Sequence, residues 1–463
     1  MSKRLIMILA LLFVAGITMA AYAEVQNVKV SGDLLIRGVA RNNFQNRATD
    51  AVFTGINDKD RSILSAVRVR ADADLTDNVS ATVRLLNERA WGLEAGVSST
   101  AITLDLAYAT LKEFLYSPLT LVVGRQELRY GNALIIGDPD TNTTSVSSNL
   151  PATLADLSVR KSFDAVKAVL NYDPLVLDLV YAKIEENTSN RADDVTLMGL
   201  NTAYTVNKNL LTEGYFWSRD RQYGSTGLTA VGPSNGERLN VLGARGVYGG
   251  IKNLTLGIEG AWQFGDHLAA VGLYPDEART AANHYKSKVN AYALQITSAL
   301  GLPVRYGPVL NFNYTRLSGD RDQSLSDNYT GWNPMFEDQS GGTIANRVLA
   351  YSNAQIFNLG GTLTPMEDLK VSLNYYHIRL LRTFDTGAGA TTRHLSGLAA
   401  DVATTVQPCE RHLADELDLN ILYDYTEDVQ LGLSAGLFMP GAAYDNTNNN
   451  AAEQLIGSMK VTF

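Results

Sequence analysis

Apolar and polar residues alternate along most of the chain, in short runs with the period of a β-strand. One run places Val67, Val69 and Ala71 on one face and Arg68 and Arg70 on the other. Because successive side chains of a strand point to opposite faces, this pattern predicts strands with one apolar and one polar face. We therefore predict an all-β protein of about 18 strands. Further alternating segments begin near residues 28, 79, 102, 175, 254, 310, 369, 417 and 429.

The connections between these runs alternate between short and long. Transmembrane antiparallel β-barrels have this arrangement, with short periplasmic turns and long extracellular loops. A soluble β-propeller or a series of β-sandwiches would show blade repeats or domain linkers, and the sequence shows neither. Short turns are predicted near 76–78, 116–118, 173–174, 206–209, 249–253, 300–303, 365–368 and 426–428. Longer polar stretches are predicted at 42–60, 90–99, 132–157, 185–193, 220–234, 265–284, 318–345, 382–411 and 441–450.

The two ends of the chain support the barrel prediction. Residues 1–23 combine a basic start, an apolar run and a small-residue cleavage site, which predicts a cleaved signal peptide. At the other end, Leu455 and Met459 belong to an alternating run that finishes on Phe463. Such an ending resembles the closing strand of a bacterial outer-membrane barrel. We therefore predict one barrel domain, residues 24–463, in the outer membrane.

Composition narrows the remaining classes. Hydrophobic residues make up 45% of the chain, and no later stretch has the roughly 18 consecutive apolar residues of a membrane helix. The net charge of −9 makes nucleic acid an unexpected partner. A single cysteine, Cys409, allows no intramolecular disulfide. The 22 tyrosines suit the aromatic girdles of a membrane barrel.

The polar faces of the predicted strands carry charges of both signs. In a barrel of this size these faces line a lumen, where rings of charge select solutes by sign. The alternative is that the charges pair across strands and only solvate a wide pore. The predicted basic residues are Arg37, Arg68, Arg70, Arg84, Lys167 and Arg245. The predicted acidic residues are Asp33, Asp72, Asp74, Asp105, Asp178, Glu259, Glu416, Asp418 and Asp424.

The stretch 123–132 concentrates charge on one predicted strand. Arg125, Glu127 and Arg129 share a face by alternation. Basic residues facing lipid would cost roughly 2–4 kcal/mol each at the midplane, so we expect this face to line the lumen, with the two arginines bracketing Glu127. The guanidinium fork suits carboxylates, the charged groups of uronic-acid polymers. The same alternation also turns Val123 inward, so we expect a bulge or a packed plug nearby. The alternative to a substrate site is a lattice of salt bridges that stiffens the barrel wall.

The motif Gly-Arg-Gln-Glu-Leu-Arg-Tyr-Gly at 124–131 is followed by Arg-Lys-Ser-Phe-Asp-Ala at 160–165. Together with the segments 416–419 and 438–441, these residues resemble the alginate-export family of outer-membrane porins. The resemblance implies an arginine-rich, anion-selective constriction that passes an acidic polysaccharide. The many acidic residues and the negative net charge depart from that picture. By position, the residues that the resemblance assigns to the constriction are Arg125, Glu127, Arg129, Arg160 and Lys161.

We expect a monomeric passive channel, surrounded by outer-membrane lipid, for an anionic polysaccharide or small anionic solutes. Periplasmic export partners are compatible with this function, and no motif calls for a cofactor or a metal. The alternatives are a general or cation-preferring porin, and a receptor or adhesin with Trp332 in a long loop. An enzyme is not expected: the pair Glu416 and Asp418 has no sugar placed beside it by the sequence. A calcium site at Asp320, Asp322 and Asp327 is less expected than a solvated loop.

Overall fold

The computed structural model describes most of the chain after the predicted signal peptide. Residues 1–23 and Cys409 lie outside the described residues, as do Asp322 and Asp327 of the calcium candidate. The described residues are 27–44, 59–92, 101–140, 150–186, 194–222, 236–268, 286–320, 328–339, 341–349, 351–383, 410–444 and 449–463.

Eighteen strands run through the described residues, together with two short helical segments. No helix among these residues is long and apolar enough to cross a membrane. The helical segments are a 3-10 helix, Ala152–Leu157, and the helix α1, Ala345–Val348. The strands are β1 Asn27–Asn42, β2 Lys59–Thr76, β3 Val79–Ala90, β4 Thr103–Leu111, β5 Leu119–Gln126, β6 Phe163–Asn171, β7 Leu175–Glu185, β8 Val195–Asn207, β9 Leu210–Gln222, β10 Gly236–Ile251, β11 Leu254–Leu268, β12 Lys286–Gly301, β13 Val309–Leu317, β14 Ala354–Met366, β15 Leu369–Leu380, β16 His412–Asp424, β17 Val429–Pro440 and β18 Ala452–Thr462.

The strands close into a barrel. Each strand pairs antiparallel with its neighbour in the chain, and β1 pairs with β18 from Asp33 opposite Thr462 to Asn42 opposite Glu453. The closure continues past the last strand, because Phe463 N donates to Gly32 O at 3.0 Å and Gly32 N donates to Phe463 O at 2.8 Å. The prediction of an antiparallel barrel of about 18 strands is confirmed.

The predicted alternation of short and long connections is also confirmed. Short connections join β2 to β3, β4 to β5, and so on to β16 and β17, whereas the long ones join β1 to β2, β3 to β4, and so on to β17 and β18. In an outer-membrane barrel the long connections face the outside of the cell. The longest connections include residues 127–162 and 318–353, and parts of both turn into the barrel.

Side chains alternate between the outer wall and the interior as the sequence pattern predicts. On β2, Val67 and Val69 are exposed on the outer wall, whereas Leu64 and Ala66 are buried on the inner face that also carries Arg68. On β18, Leu455 and Met459 are exposed, whereas Gln454 and Ile456 are buried. Exposed aromatic side chains of the barrel include Tyr172, Tyr181, Tyr204, Phe216, Tyr248, Trp262, Tyr292, Tyr306, Tyr375, Tyr423 and Phe463.

The buried apolar side chains lie inside the barrel, between the wall and the segments that turn inward. One cluster packs Leu134, Trp332 and Phe336 of those segments against Phe163 and Trp217 of the wall. A second cluster packs Ile344 and Ala345 against inner side chains of β14–β18, and a third packs Leu150 and Leu154 against β1, β2 and β18. Burial of apolar area therefore holds these segments inside the lumen.

We expect Gly32→Ala to destabilise the barrel by roughly 1–3 kcal/mol, the usual cost of overpacking. A Cβ at Gly32 would lie 2.5 Å from Arg68 O and 2.6 Å from Phe463 Cζ, at the closure of the barrel. Gly38→Ala is the matched control, because Gly38 lies on the same strand and face with nothing within 4 Å of its Cβ. Urea unfolding of the refolded barrels, followed by tryptophan fluorescence, measures both. Equal stability of the two variants would contradict the prediction.

Candidate pore constriction

Three segments of the long connections turn into the lumen and narrow it. The first inserted segment is 127–140, the second is 150–162, and the third is 328–339 with 341–349. The first and second leave the wall where it is lowest, because β4, β5 and β6 have only 9, 8 and 9 residues. Each inserted segment is held by polar contacts to inner-face side chains as well as by the apolar clusters.

The first inserted segment reaches from β5 to β10 along the inner wall. The Tyr130 hydroxyl donates to Asp178 Oδ2 at 3.0 Å, and its ring lies 5.0 Å from the Trp217 ring. Further along, Arg245 Nη2 donates to Asn132 Oδ1 at 3.0 Å. The inner-face residues Asp178 and Arg245 therefore position the first inserted segment.

The second inserted segment is held against β1 and β3. Arg41 donates to both carboxylate oxygens of Asp156, at 2.6 and 3.0 Å, and to Thr153 O at 2.7 Å. From β3, Glu88 accepts hydrogen bonds from Val159 N at 2.7 Å and from the Ser158 hydroxyl at 2.8 Å. Charge-assisted hydrogen bonds of this kind are about twice as strong as neutral ones.

The third inserted segment is held at its far end by two carboxylates of β16. Glu416 accepts the backbone N–H groups of Ile344 and Ala345, both at 2.7 Å. Asp418 accepts the Thr343 N–H at 2.9 Å and the Thr343 hydroxyl at 2.7 Å. Both carboxylates are almost fully buried, so they bind backbone donors of this chain and line no open site for a sugar.

The three inserted segments contact one another through backbone and side chains. Gly137 N donates to Phe336 O at 2.7 Å, and Asp338 N donates to Ala133 O at 3.0 Å. Arg347 lies 3.8 Å from Asp156 and so joins the third segment to the second. The segments therefore form one connected structure across the lumen.

Four charged side chains meet where the inserted segments come together. Asp338 of the third segment contacts both Arg129 of the first and, at 3.2 Å, Lys161 of the second. Lys161 also lies 2.6 Å from Asp138. We call Arg129, Asp138, Lys161 and Asp338 the charge cluster. The side chain of Arg129 is 54% exposed, so a guanidinium remains accessible to solutes in the lumen.

The protonation state of two groups in this region follows from their surroundings on the inserted segments. Burial works to lower the pKa of the Lys161 ammonium, but Asp138 and Asp338 outweigh it and that pKa is raised, so Lys161 is charged at neutral pH. Burial raises the pKa of the Glu337 carboxyl to about 8, and the neighbouring Asp338 and Asp138 act in the same direction. Glu337 is therefore mostly protonated at neutral pH.

Three predicted lumen arginines lie on the inner face and are paired. Arg68 forms a bidentate pair with Asp33 at 2.8 and 3.0 Å, and Arg70 pairs with Asp72 at 2.7 and 2.8 Å. Arg84 contacts the buried Asp105 at 2.5 Å. This is the pairing that the sequence left open as an alternative, across strands for Arg68 and Arg84, and it neutralises three of the nine predicted acidic residues.

The predicted arrangement of Arg125, Glu127 and Arg129 on one strand face is wrong. Strand β5 ends at Gln126, so Glu127 and Arg129 belong to the first inserted segment. Glu127 accepts from Arg84 at 2.5 Å, and neither Arg125 nor Arg129 brackets it. Residues of that segment no longer follow strand alternation, which is why the sequence pattern could not place them.

Arg125 and Val123 both lie on the outer-wall face of β5. The sequence pattern placed Arg125 in the lumen, which would have turned the apolar Val123 inward as well, and that conflict does not arise in the structure. Val123 is 40% exposed on the outer wall, and Arg125 follows it by two residues. Arg125 pairs with Asp164 of β6, directly opposite in the register, at 2.6 and 2.8 Å. Arg160 lies 3.7 Å from Asp140, and both line a small cleft that Arg125 also borders. Arg125 therefore has a different partner from Arg129 and Lys161, which contact Asp338.

Several residues of this region were missed by sequence reasoning. Asp138 and Asp338 lie in stretches predicted as polar loops, and their partners are distant in the chain. One signal was present: the run Leu134, Ile135 and Ile136 is apolar inside a predicted loop, and all three residues are buried. An apolar run in a long loop of a barrel indicates a segment that folds inward.

Comparison with known proteins places the chain among bacterial outer-membrane channels. A family model described as alginate export matches residues 34–458. The fold is similar to crystal structures of Pseudomonas aeruginosa OccD3 (OpdP), at a TM-score of 0.53 and 11% identity over 95% of this chain and 93% of that one. Pseudomonas aeruginosa OpdQ matches at 0.55 and 12% over 95% and 100%. Acinetobacter baumannii OccAB1 matches at 0.55 and 11% over 96% and 99%.

No protein in the curated set matches the sequence. At 10–13% identity, the solved structures establish the fold alone, an 18-strand outer-membrane barrel. The family match covers most of the chain and includes the segments that build the constriction. The chain therefore belongs to the alginate-export family of the bacterial outer membrane.

Proposed function

We propose that the barrel is a passive channel for an anionic polysaccharide or other anionic solutes, and that the charge cluster is its selectivity site. The observation that carries the proposal is Arg129, a half-exposed guanidinium at the junction of the three inserted segments. Lys161 adds a second positive charge through the shared partner Asp338. Arginine binds carboxylates bidentately, so uronate groups fit this site. The family match supports the same substrate class.

The chain forms its lumen without a second subunit, because β1 and β18 close the wall. We therefore propose that it functions as a monomer. Transport needs no energy source in this mechanism: the solute moves down its gradient, and the inserted segments limit leakage. The proposal gives no part in selectivity to the other residues that the family resemblance assigns to the constriction. Arg125 and Arg160 pair with Asp164 and Asp140, and Glu127 contacts Arg84.

A general or cation-preferring porin is the second candidate. Its supporting observation is the charge balance of the cluster, in which two cations face two aspartates. Paired charges of both signs would solvate a pore without strong preference. The two candidates differ in the sign of ion selectivity, which a planar-bilayer recording under a salt gradient measures directly.

Arg129→Ala and Lys161→Ala should each lower the anion-to-cation permeability ratio and weaken block by oligouronates. A unit charge about 4 Å from a passing ion contributes about 1 kcal/mol in water, so each change is expected to be about fivefold. Arg238→Ala is the matched control, because Arg238 is 62% exposed on the outer wall and pairs with Asp220 there. An unselective wild-type channel with no oligouronate block would favour the general porin.

Raising the pH should reduce anion preference, because Glu337 ionises near pH 8 and adds a negative charge beside the charge cluster. The permeability ratio is therefore expected to fall between pH 6 and pH 10, by up to about fivefold for one added charge. Lys161 keeps its charge over most of this range, since its pKa is raised. The Glu337→Gln variant should show a flat profile. A wild-type fall that persists in Glu337→Gln would assign the effect to another group.

Glu416→Ala should increase single-channel conductance and current noise. The substitution leaves the buried N–H groups of Ile344 and Ala345 without their acceptor, at about 1–3 kcal/mol each, and so releases the third inserted segment from the wall. Asn420→Ala is the control, because Asn420 follows on the inner face of the same strand. Unchanged conductance in Glu416→Ala would show that the third segment does not limit the pore.

A further inference from the structure

A group of two histidines and one aspartate lies on the outer wall, away from the lumen. His377 Nδ1 lies 2.7 Å from Asp415 Oδ1, and His412 Nε2 lies 2.9 Å from Asp415 Oδ2. The two imidazole rings stack with centroids 5.0 Å apart and 27° between their planes. His377 follows the exposed Tyr375 by two residues toward the long-connection end of β15. The group therefore lies near the ends of β15 and β16 where their long connection begins, and the side chains of His377 and His412 are 35% and 38% exposed.

A register shift is what brings the three side chains together. His412 and Asp415 are three residues apart, so regular strand alternation would place them on opposite faces. Between β15 and β16, however, Ile378 pairs with Ala414 and Arg379 pairs with His412, so Leu413 is skipped. Leu413 and Ala414 are both buried on the inner side, and His412 joins Asp415 on the outer wall. Such bulges re-aim side chains and are frequent beside functional sites.

The donor set fits a divalent transition metal. Two imidazole nitrogens and one carboxylate are ligands that zinc, copper and nickel accept, with water completing the coordination. The three donor atoms lie within 4.8 Å of one another. Donors of a tetrahedral zinc ion, bound at about 2.0–2.2 Å, lie about 3.4 Å apart, so small side-chain rotations suffice. Within the part of the chain that the structure describes, no other group of three such residues was found.

Neighbouring side chains orient Asp415, and one of them lowers the affinity that the site can have for a cation. The Tyr375 hydroxyl donates to Asp415 Oδ1 at 2.7 Å, which orients the carboxylate as outer hydrogen bonds do in metal sites. All these side chains project from paired strands, which are rigid supports for a site. Arg379, opposite His412 in the register and exposed, adds a positive charge that opposes cation binding.

We propose that His377, His412 and Asp415 bind one divalent transition-metal ion, such as Zn²⁺, on the outer wall. Each histidine binds through a neutral nitrogen, so metal binding displaces the protons in the hydrogen bonds to Asp415. The bound ion joins β15 to β16 at the end of the barrel where their long connection begins. The proposal is independent of the channel's substrate, because the site faces away from the lumen.

The test uses the chain without its predicted signal peptide, residues 24–463, in detergent and purified without a histidine tag. Isothermal titration with Zn²⁺ should give one ion per chain, and Cu²⁺ should give an electron paramagnetic resonance spectrum with hyperfine splitting from two nitrogens. His377→Ala and His412→Ala should each weaken Zn²⁺ binding by about 100-fold, and Tyr375→Phe by about tenfold through loss of the orienting hydrogen bond. His267→Ala removes a histidine of β11 and should leave the affinity unchanged.

Two results would overturn the proposal. One is Zn²⁺ binding by the wild type that is no tighter than binding by the His377→Ala/His412→Ala double variant. The other is a Cu²⁺ spectrum without two coupled nitrogens, which needs no variant and so does not depend on how the variants fold. Either outcome would leave the three side chains as a hydrogen-bonded contact between two strands.

Discussion

The hydrogen-bonded pairing of β1 with β18 is the constraint on which the rest of the structure depends. In lipid there is no water to satisfy a strand edge, so a sheet that crosses a membrane must close on itself. The pairing runs from Asp33 to Asn42 on β1 and continues through the hydrogen bonds between Gly32 and Phe463. Once the ring is closed, every strand has one face toward lipid and one toward the lumen, and alternation assigns each side chain.

Eighteen strands enclose a lumen too wide to be filled by wall side chains alone. The three inserted segments solve this problem by bringing apolar side chains such as Leu134, Trp332 and Phe336 into the interior. Charged inner-face residues then act mainly as anchors: Arg41 holds the second segment, and Glu416 holds the third. These charged residues of the lumen thus form ion pairs or hold the inserted segments. The sign of the protein's total charge is therefore a poor guide to the selectivity of the pore.

The sequence pattern was sufficient for everything that follows from strand alternation. The strand number, the order of short and long connections, and the inner placement of Arg68, Arg70 and Arg84 are examples. It failed where alternation stops. Glu127 and Arg129 lie beyond the end of β5, and their partners Arg84 and Asp338 are distant in the chain.

Local breaks in the ladder were equally invisible in the sequence. The shift between β15 and β16 places His412 beside Asp415, and a shift between β3 and β4 accompanies the burial of Asp105 beside Arg84. A one-residue irregularity moves a side chain to the other face, and no apolar–polar pattern records it reliably. In β15 and β16 the overall phase that the pattern predicts is still correct. In β4 the break turns Leu106 to the inner face opposite Arg84, whereas Leu104 of the same predicted face stays exposed. The fold survives such a break, but the placement of a site residue does not.

The pairing inside the charge cluster bears on how a channel for polyanions would work. In the proposed channel, a uronate group that enters the constriction would meet Arg129 and Lys161 while both contact Asp338. It must compete with that carboxylate, so the net gain from binding is smaller than for a bare guanidinium. Conduction needs sites that are favourable enough to enter and weak enough to leave. A basic side chain that already contacts a carboxylate would meet both conditions, because Arg129 and Lys161 can return to Asp338 when each uronate leaves. On this view the aspartates of the cluster assist the passage of an anionic polymer, and their presence is no argument against it.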